Sequence, residues 1–522
     1  MNPVYDLAIT GSGFGGSLLA MVATRLGYRV LLLERSQHPR FAIGESTSPL
    51  TNLILEQLAL RYNLNFLMPF TTYGRWQKER PEIVCGLKRG FTYYAHQTGQ
   101  PFINHPDQRQ QSQLMVAASP RDEIADTHWL RSDFDSFLVD RAIELGVDYL
   151  DHTEVAAIER TADGLWQIFG TTKSAPLHTS ARFIFDATGP RGLLHRLLHL
   201  PEVELAGFPN TQALFSHFTD VRRCDSMPQF EICVSPPYTP DDAALHHTFH
   251  GGWMWVLRFG NGVTSAGFSV TDEVAAELGL PGDRQAAWDR FMARYPTVGS
   301  QFQEALPILP LIYVPRLSYR SSRASGQGWA MLPSAAAFID PLFSTGIPLT
   351  LLGIERLGVL LEKGIEALEE GSEAYGINTL AEVDSTAEYI GASLRSLSNF
   401  RVFSAFSMFY FAAASYSEMA RRLDKRHLVT RFLAADRSEF RAGMRRSIEL
   451  MPQVIADPTE HNLAALERQV ADAIACLNIA GLADPCKGNW YGVDLQDVVD
   501  GASLLEMTPQ EMTATISVAD WV

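Results

Sequence analysis

The segment from Asp6 to Glu34, DLAITGSGFGGSLLAMVATRLGYRVLLLE, constrains this chain more than any other. An apolar run, Leu7 to Thr10, leads into Gly11-Ser-Gly13-Phe14-Gly15-Gly16. A helical pattern follows, and Arg29 to Leu33 reads as a second buried strand closed by Glu34. This strand–turn–helix–strand context gives a GxGxxG motif its meaning. Gly11 permits the tight turn, Gly13 lets backbone approach a pyrophosphate, and Gly16 lets the helix pack on the strand. The helix N-terminus faces the negative charge. Glu34 lies 23 residues past Gly11, where a carboxylate accepts hydrogen bonds from ribose hydroxyls and disfavours a 2′-phosphate. An adenine dinucleotide is expected here.

A chain of 522 residues is too long for one core, so two or three domains are expected. The net charge of −16 argues against a nucleic-acid surface. The five cysteines lack CxxC spacing, which argues against a disulfide framework or zinc site and for a reducing compartment. The first strand begins at Val4, with no signal peptide before it, and Val402 to Ser417 is too short to span a bilayer. A cytoplasmic protein without a membrane span is the expectation.

Further along, Leu50–Leu60 reads as an amphipathic helix. A second helix is expected from the Trp129–Asp135 region through Leu145, with Ser132 or Asp133 as its N-cap. Ala181–Phe185 reads as a strand ending in Asp186-Ala-Thr-Gly189. From about 200 to 325 the pattern is β-rich, with runs at 213–218, 253–259 and 263–270. A long helix is expected near Ile347, and the remainder is mostly helical. The fold class is therefore α/β, a Rossmann-like domain with an inserted antiparallel β-sheet domain and a helical C-terminal region. The boundaries are 1–85, 129–199 and 326–365 for the first, 86–128 and 200–325 for the second, and 366–522 for the third.

Several motifs occur in order: GxGxxG; Pro39-Arg40 with Gly44-Glu45-Ser46-Thr47; Arg131 with Phe134-Asp135; Asp186-Ala187-Thr188-Gly189; Asp340-Pro341 with Ser344-Thr345-Gly346. Together they resemble the para-hydroxybenzoate-hydroxylase-like flavoproteins over roughly the first 365 residues and, within them, the flavin-dependent halogenases. The resemblance implies FAD contacts at Gly11, Gly13, Phe14, Gly15, Gly16, Glu34, Arg35, Arg40, Glu45, Ser46, Thr47, Arg131, Asp186, Gly189, Asp340, Gly346 and Ile347. It also implies that FADH2 comes from a separate flavin reductase, because only one dinucleotide fingerprint is visible.

Cys85-Gly86-Leu87-Lys88-Arg89-Gly90-Phe91 is similar to the segment holding the family's active-site lysine, which makes Lys88 the expected catalytic residue. In that chemistry reduced FAD, O2 and halide give hypohalous acid, which a lysine hydrogen-bonds or traps as a haloamine near the aromatic substrate. Trp253-Met-Trp255 resembles the family's WxWxIP signature, with Leu257-Arg258 replacing Ile-Pro. Thr345 and Gly346 are the expected chloride or bromide nest.

Tryptophan halogenases carry a glutamate where Phe343 stands, so phenylalanine implies an electron-rich phenol or pyrrole, free or carrier-tethered. Pro333-Ser334 in place of the usual Gly-Asp brings phloroglucinol-type phenol halogenases nearest. Phe91, Tyr93, His96, Trp253, Trp255 and Phe343 are the expected substrate-side residues. His246, His247 and His250 lack acidic or cysteine partners at ligand spacing, so no metal is expected. The competing readings are a monooxygenase or isoprenoid-type reductase of the same fold, or a flavin-binding protein without turnover. The oligomeric expectation is a monomer or homodimer, and an exposed apolar face near Phe400–Phe411 would mark a carrier or subunit interface.

Overall fold

The computed structural model describes residues 4–104, 109–173, 175–230 and 235–518. Cys233 falls outside them. Two large sheets dominate. In the first, the parallel strands Trp329–Met331, Ala175–Asp186, Val4–Thr10, Val30–Leu33 and Asp148–Leu150 lie side by side in that order. Strands buried on both faces need continuous apolar runs, and Leu7-Ala-Ile with Val30-Leu-Leu-Leu supplies them. The helix Phe14–Arg25 follows the first strand immediately.

The second sheet has nine strands, with Thr211–Thr219, Thr264–Thr271, Gly252–Arg258, Ala244–Phe249, Gly90–Ala95 and Gln113–Ala117 adjacent in that order. It is mixed rather than antiparallel throughout, because Gly90–Ala95 pairs parallel with Ala244–Phe249. Alternation along these strands serves two cores. Phe91, Tyr93, Phe215, Trp253 and Trp255 face the core shared with the nucleotide-binding sheet. Tyr94, Leu214, Phe249, Met254 and Phe268 face a second core, covered by the helix Arg284–Arg294.

Three expectations change in detail. The helix Arg131–Glu144 starts at an N-cap of Leu130 without a side-chain cap, because Ser132 Oγ donates to Asp133 and Arg131 is already helical. Lys88 belongs to neither large sheet: Cys85–Lys88 forms a separate ribbon with Asp126–Trp129. The C-terminal region does not pack as a domain apart. Phe403, Phe406, Phe409, Tyr410 and Phe411 of the helix Phe400–Arg422 join the same apolar core as Phe91 and Leu7. Trp490–Tyr491 adds a short edge strand to the second sheet. The face near Phe400–Phe411 is buried, not an exposed docking surface.

Candidate active site

The glycines of the fingerprint behave as their spacing requires. Gly11 has φ +90, and a Cβ there would meet Ala187 O at 2.6 Å. At Gly16 a Cβ would lie 1.9 Å from Gly11 O, so only glycine lets helix and turn approach. Gly15 packs against Leu332 and Thr350. Gly13 is different. Its added Cβ would meet only the side-chain ends of Arg131, Asp135 and Arg40 at 3.3–3.7 Å, so this face of the turn is open to a ligand.

Glu34 accepts from Ser12 N and Oγ, Ser36 N and Arg40. Burial opposes its ionisation, but Arg40 and these hydrogen bonds together hold its carboxyl below the usual range. Glu34, Arg35, Arg40 and Gly11 line a cavity of about 600 Å³, with Phe41, Thr153, Thr188 and Arg191 around it. Gly189 has φ +84 and open space beside it.

Arg131 grips Asp135 through two hydrogen bonds of 2.8 Å and also donates to the Ile43 and Gly44 carbonyls, with its guanidinium 4.8 Å from the Phe14 ring. It thereby fixes the loop carrying Glu45, Ser46 and Thr47. Glu45 Oε1 lies 2.7 Å from His217 Nε2 of the second sheet, while Glu45 Oε2 and Ser46 Oγ are buried without hydrogen-bond partners among the described residues. Orphaned polar atoms beside an open glycine cradle and a cavity of this size fit a bound dinucleotide.

Two further residues expected at the cofactor are held by their own loops. Asp186 accepts from Thr188 N and Oγ and from Leu194 N, organising the turn that presents Gly189. Asp340 accepts from the Leu342 amide at 3.0 Å and Ser269 Oγ at 3.1 Å, tying the 340–346 loop to the second sheet. Burial pushes its carboxyl up to about 7 against these hydrogen bonds. Both carboxylates are held by backbone and hydroxyl donors.

Lys88 is fully buried. Its Nζ donates to Thr47 O and to Ser344 Oγ (3.4 Å) and sits 3.9 Å from the Phe91 ring centroid. The amine thus touches the loop after the dinucleotide fingerprint and the loop that leads into the helix Gly346–Leu361. Burial pulls the ammonium down to about 7, with Asp126 acting in the opposite direction. Ser344 takes the left-handed conformation, φ 55, which turns the chain so that Thr345 caps the helix beginning at Gly346. First-turn N–H groups lack intrahelical acceptors, and Gly346 has open space beside its Cα. Ile347 is buried in the same turn.

Phe343 is fully buried and stacks on Tyr410, with ring centroids 4.6 Å apart. Tyr93 packs against Phe343 (6.4 Å) and Phe403 (5.4 Å), and stacks on His246 at 4.5 Å. From His246 the aromatic contacts continue through Trp253, Trp255 and Phe215 to Phe41, which lines the 600 Å³ cavity. One aromatic wall connects the nucleotide cavity to Lys88.

His96 is not part of this wall. It lies on the other face of its strand, hydrogen-bonded to His247, which in turn meets Gln301. Strand parity decides this: 91 and 93 share a face, and 92, 94 and 96 share the opposite one. His246 occupies the place expected of His96. The Leu257-Arg258 pair has a structural use, since the Arg258 guanidinium ties the Val221 and Arg222 carbonyls to the buried Asp241 carboxylate. Sequence reasoning gave Tyr410 no place at the site, weighed His246 only as a metal ligand and Ser344 only within the 340–346 motif; their positions here come from contacts across the fold.

A dinucleotide cradle joined by an aromatic wall to a buried lysine points to the class: a dinucleotide-binding flavoprotein with a buried amine beyond its aromatic wall. The tryptophan halogenase family model matches residues 108–394, more than half the chain, and the protein belongs to that family. Monodechloroaminopyrrolnitrin halogenase PrnC of Pseudomonas fluorescens is 28% identical over 411 residues, 77% of this chain and 70% of the relative. Tetracycline 7-halogenase of Kitasatospora aureofaciens is 30% identical over 352 residues, 66% and 60% of the respective chains. The fold is similar to that of halogenase PltM solved with phloroglucinol and FAD, with a TM-score of 0.80 and 24% identity over 93% of this chain and 99% of that one. The protein is a flavin-dependent halogenase, an oxidoreductase that uses FADH2 and a halide. No helix among the described residues is long and apolar enough to cross a membrane.

Proposed function

We propose that the protein halogenates a free, electron-rich aromatic ring, phenolic or pyrrolic, through hypohalous acid held by Lys88. The observation that carries this reading is the sealed Lys88 amine, which touches Thr47 on one side and Ser344 on the other above the Phe91 ring. The Gly13 cradle, Arg40, Arg131 and the unpaired Glu45 and Ser46 oxygens would hold FAD. When bound in its reduced form, FAD supplies the two electrons with which O2, halide and a proton yield hypohalous acid and water.

Each side chain then has a definite task. The first amides of the helix at Gly346, with Thr345, receive the halide ion. The aromatic wall from Phe41 to Tyr93 keeps water away from the oxidant. Lys88, as its ammonium, donates a hydrogen bond to the hypohalous acid and so polarises the O–X bond. The ring displaces water from the halogen and loses a proton. Phe343 offers no carboxylate to a cationic intermediate, so the ring's own hydroxyl or N–H must stabilise it. The buried Tyr93 hydroxyl, without a hydrogen-bond partner among the described residues, suits that group.

Relatives include 1H-pyrrole-2-carbonyl-[peptidyl-carrier protein] halogenases, a brominase of Pseudoalteromonas luteoviolacea and a chlorinase of Pseudomonas fluorescens. Here the helix Phe400–Arg422 covers the aromatic site, which favours a small free ring over a tethered one. A separate reductase supplies the reduced flavin. The test is mass spectrometry of phenols, pyrroles and indoles, with carrier-linked pyrrole as a further arm, incubated with protein, FAD, reductase, NADH and bromide. Brominated free phenol or pyrrole supports the reading, whereas bromination confined to the carrier-linked ring or to indole contradicts it.

A further inference from the structure

Lys88 has a partner that the chemistry above does not use. In the ribbon of Cys85–Lys88 with Asp126–Trp129, Lys88 stands opposite Asp126, and directly opposed residues project from the same face. Both are sealed from water, Lys88 at 0% exposure and Asp126 at 3%. Asn52 donates to Asp126 Oδ1 at 2.9 Å, while Oδ2 has no hydrogen-bond partner among the described residues. An ammonium has three donors, and two of those on Lys88 point to Thr47 and Ser344. A lysine with a donor to spare and a carboxylate with an acceptor to spare therefore share one face of the ribbon without a direct ion pair between them.

We propose that Asp126 is a positioning residue whose carboxylate holds Lys88 as an ammonium in its buried setting and offers it a resting place when the Thr47 contact is released. This rests on the reading that Lys88 handles the oxidant. Desolvation drives the proton off a buried lysine unless an anion stands near. Asp126 is the charge that opposes burial at Lys88, and Lys88 opposes burial at Asp126, whose own carboxyl is pushed well above its usual range. The two ionise as a coupled pair.

The other titratable groups around Lys88 have their own partners: on the two loops that touch it, Glu45 Oε1 lies 2.7 Å from His217 Nε2, and Asp340 accepts from the Leu342 amide and Ser269 Oγ. On the same ribbon His128 is pulled down to about 3 by burial, and on the second sheet so is His246, so both stay neutral near pH 7. On the helix Phe400–Arg422 the Tyr410 phenol is pushed up and stays neutral, and Glu418 pairs with Arg422 at 2.6 Å. The helix Pro49–Arg61 contributes the uncharged Asn52.

The test is the pH profile of bromination by Asp126→Asn, run with saturating reductase beside measurements of FAD affinity and NADH oxidation. With an ammonium required, the wild-type profile falls on its alkaline side as Lys88 loses its proton. Removing the carboxylate should move that limb to lower pH by about one unit, equivalent to a tenfold loss on the alkaline side. FAD affinity and NADH oxidation should be unchanged, and Asp126→Glu should restore part of the shift. A slower variant whose limb has not moved would overturn the role of Asp126. Asn52→Ala keeps the carboxylate but removes its donor, so a smaller shift in the same direction is expected even if Asp126→Asn fails to fold. An unmoved limb there also overturns it. Lys88→Ala separates the two claims: retained bromination in that variant would refute the reading of Lys88 itself.

Discussion

A lysine stripped of water gives up its proton unless something nearby keeps the charge worthwhile. For Lys88 the balance lands at about 7, which places both protonation states within reach of ordinary assay conditions. The sign follows from the role assigned to it. An ammonium donor dominates below this value, so bromination should fall as pH rises through about 7, while a haloamine route through the free amine would make it rise. Initial rates between pH 6 and pH 9 (roughly one unit below to two above that pKa), with reductase in excess, distinguish them. Phe343→Glu should not confer tryptophan halogenation, because Tyr410 and Tyr93 still fill the space a larger indole needs. Efficient chlorotryptophan formation would contradict this.

The first ninety residues were the most readable because their constraints are local. Gly11, Gly16 and the strand after them answer to a single turn. His96 shows where a local reading stops: parity alone separates it from Phe91 and Tyr93, and its partner His247 lies on the neighbouring strand, far away in sequence. Asp126 carried no local signal, and Ser344 only a place in the 340–346 motif, since their contacts come from a ribbon register and a loop approach to Lys88.

At the scale of elements, the strand–turn–helix unit separates binding from folding. Gly13→Val should leave the protein folded but lower FAD affinity at least tenfold, because only flexible side-chain ends surround the added group. Gly16→Ala should fail to fold or lose its cofactor with large destabilisation, since backbone blocks the methyl group at 1.9 Å. Equilibrium dialysis and thermal melts of both variants check the contrast, and equal behaviour would contradict it. The helix Phe400–Arg422 is the element the sequence disguised. Its aromatic run fits either an exposed interface or a core face, and only the tertiary packing shows Phe403, Tyr410 and Phe411 around the lysine chamber. Phe403→Ala should cost about 3–5 kcal/mol as a large-to-small core change and broaden the range of rings accepted. Denaturant melts and a substrate panel measure the two effects, and unchanged stability would contradict the packing account.

At the scale of the whole molecule, the design is one cradle, one wall and one buried amine. The parallel sheet presents the cradle at its strand ends, as open α/β sheets do. The mixed sheet supplies the wall from Phe215 to Tyr93, the loop before Glu45 adds Phe41, and a separate ribbon carries Lys88. Under the proposed function, oxidant formed at one end reaches substrate at the other while aromatic surface excludes water. That proposal assigns oxidant production and halogen transfer to different residues, so they should be separable by substitution. The most direct test follows bromination and reduced-flavin oxidation together in wild type and Lys88→Ala, with FAD binding verified in each. The account predicts lost bromination with flavin oxidation and FAD binding intact. Bromination retained in Lys88→Ala would contradict it.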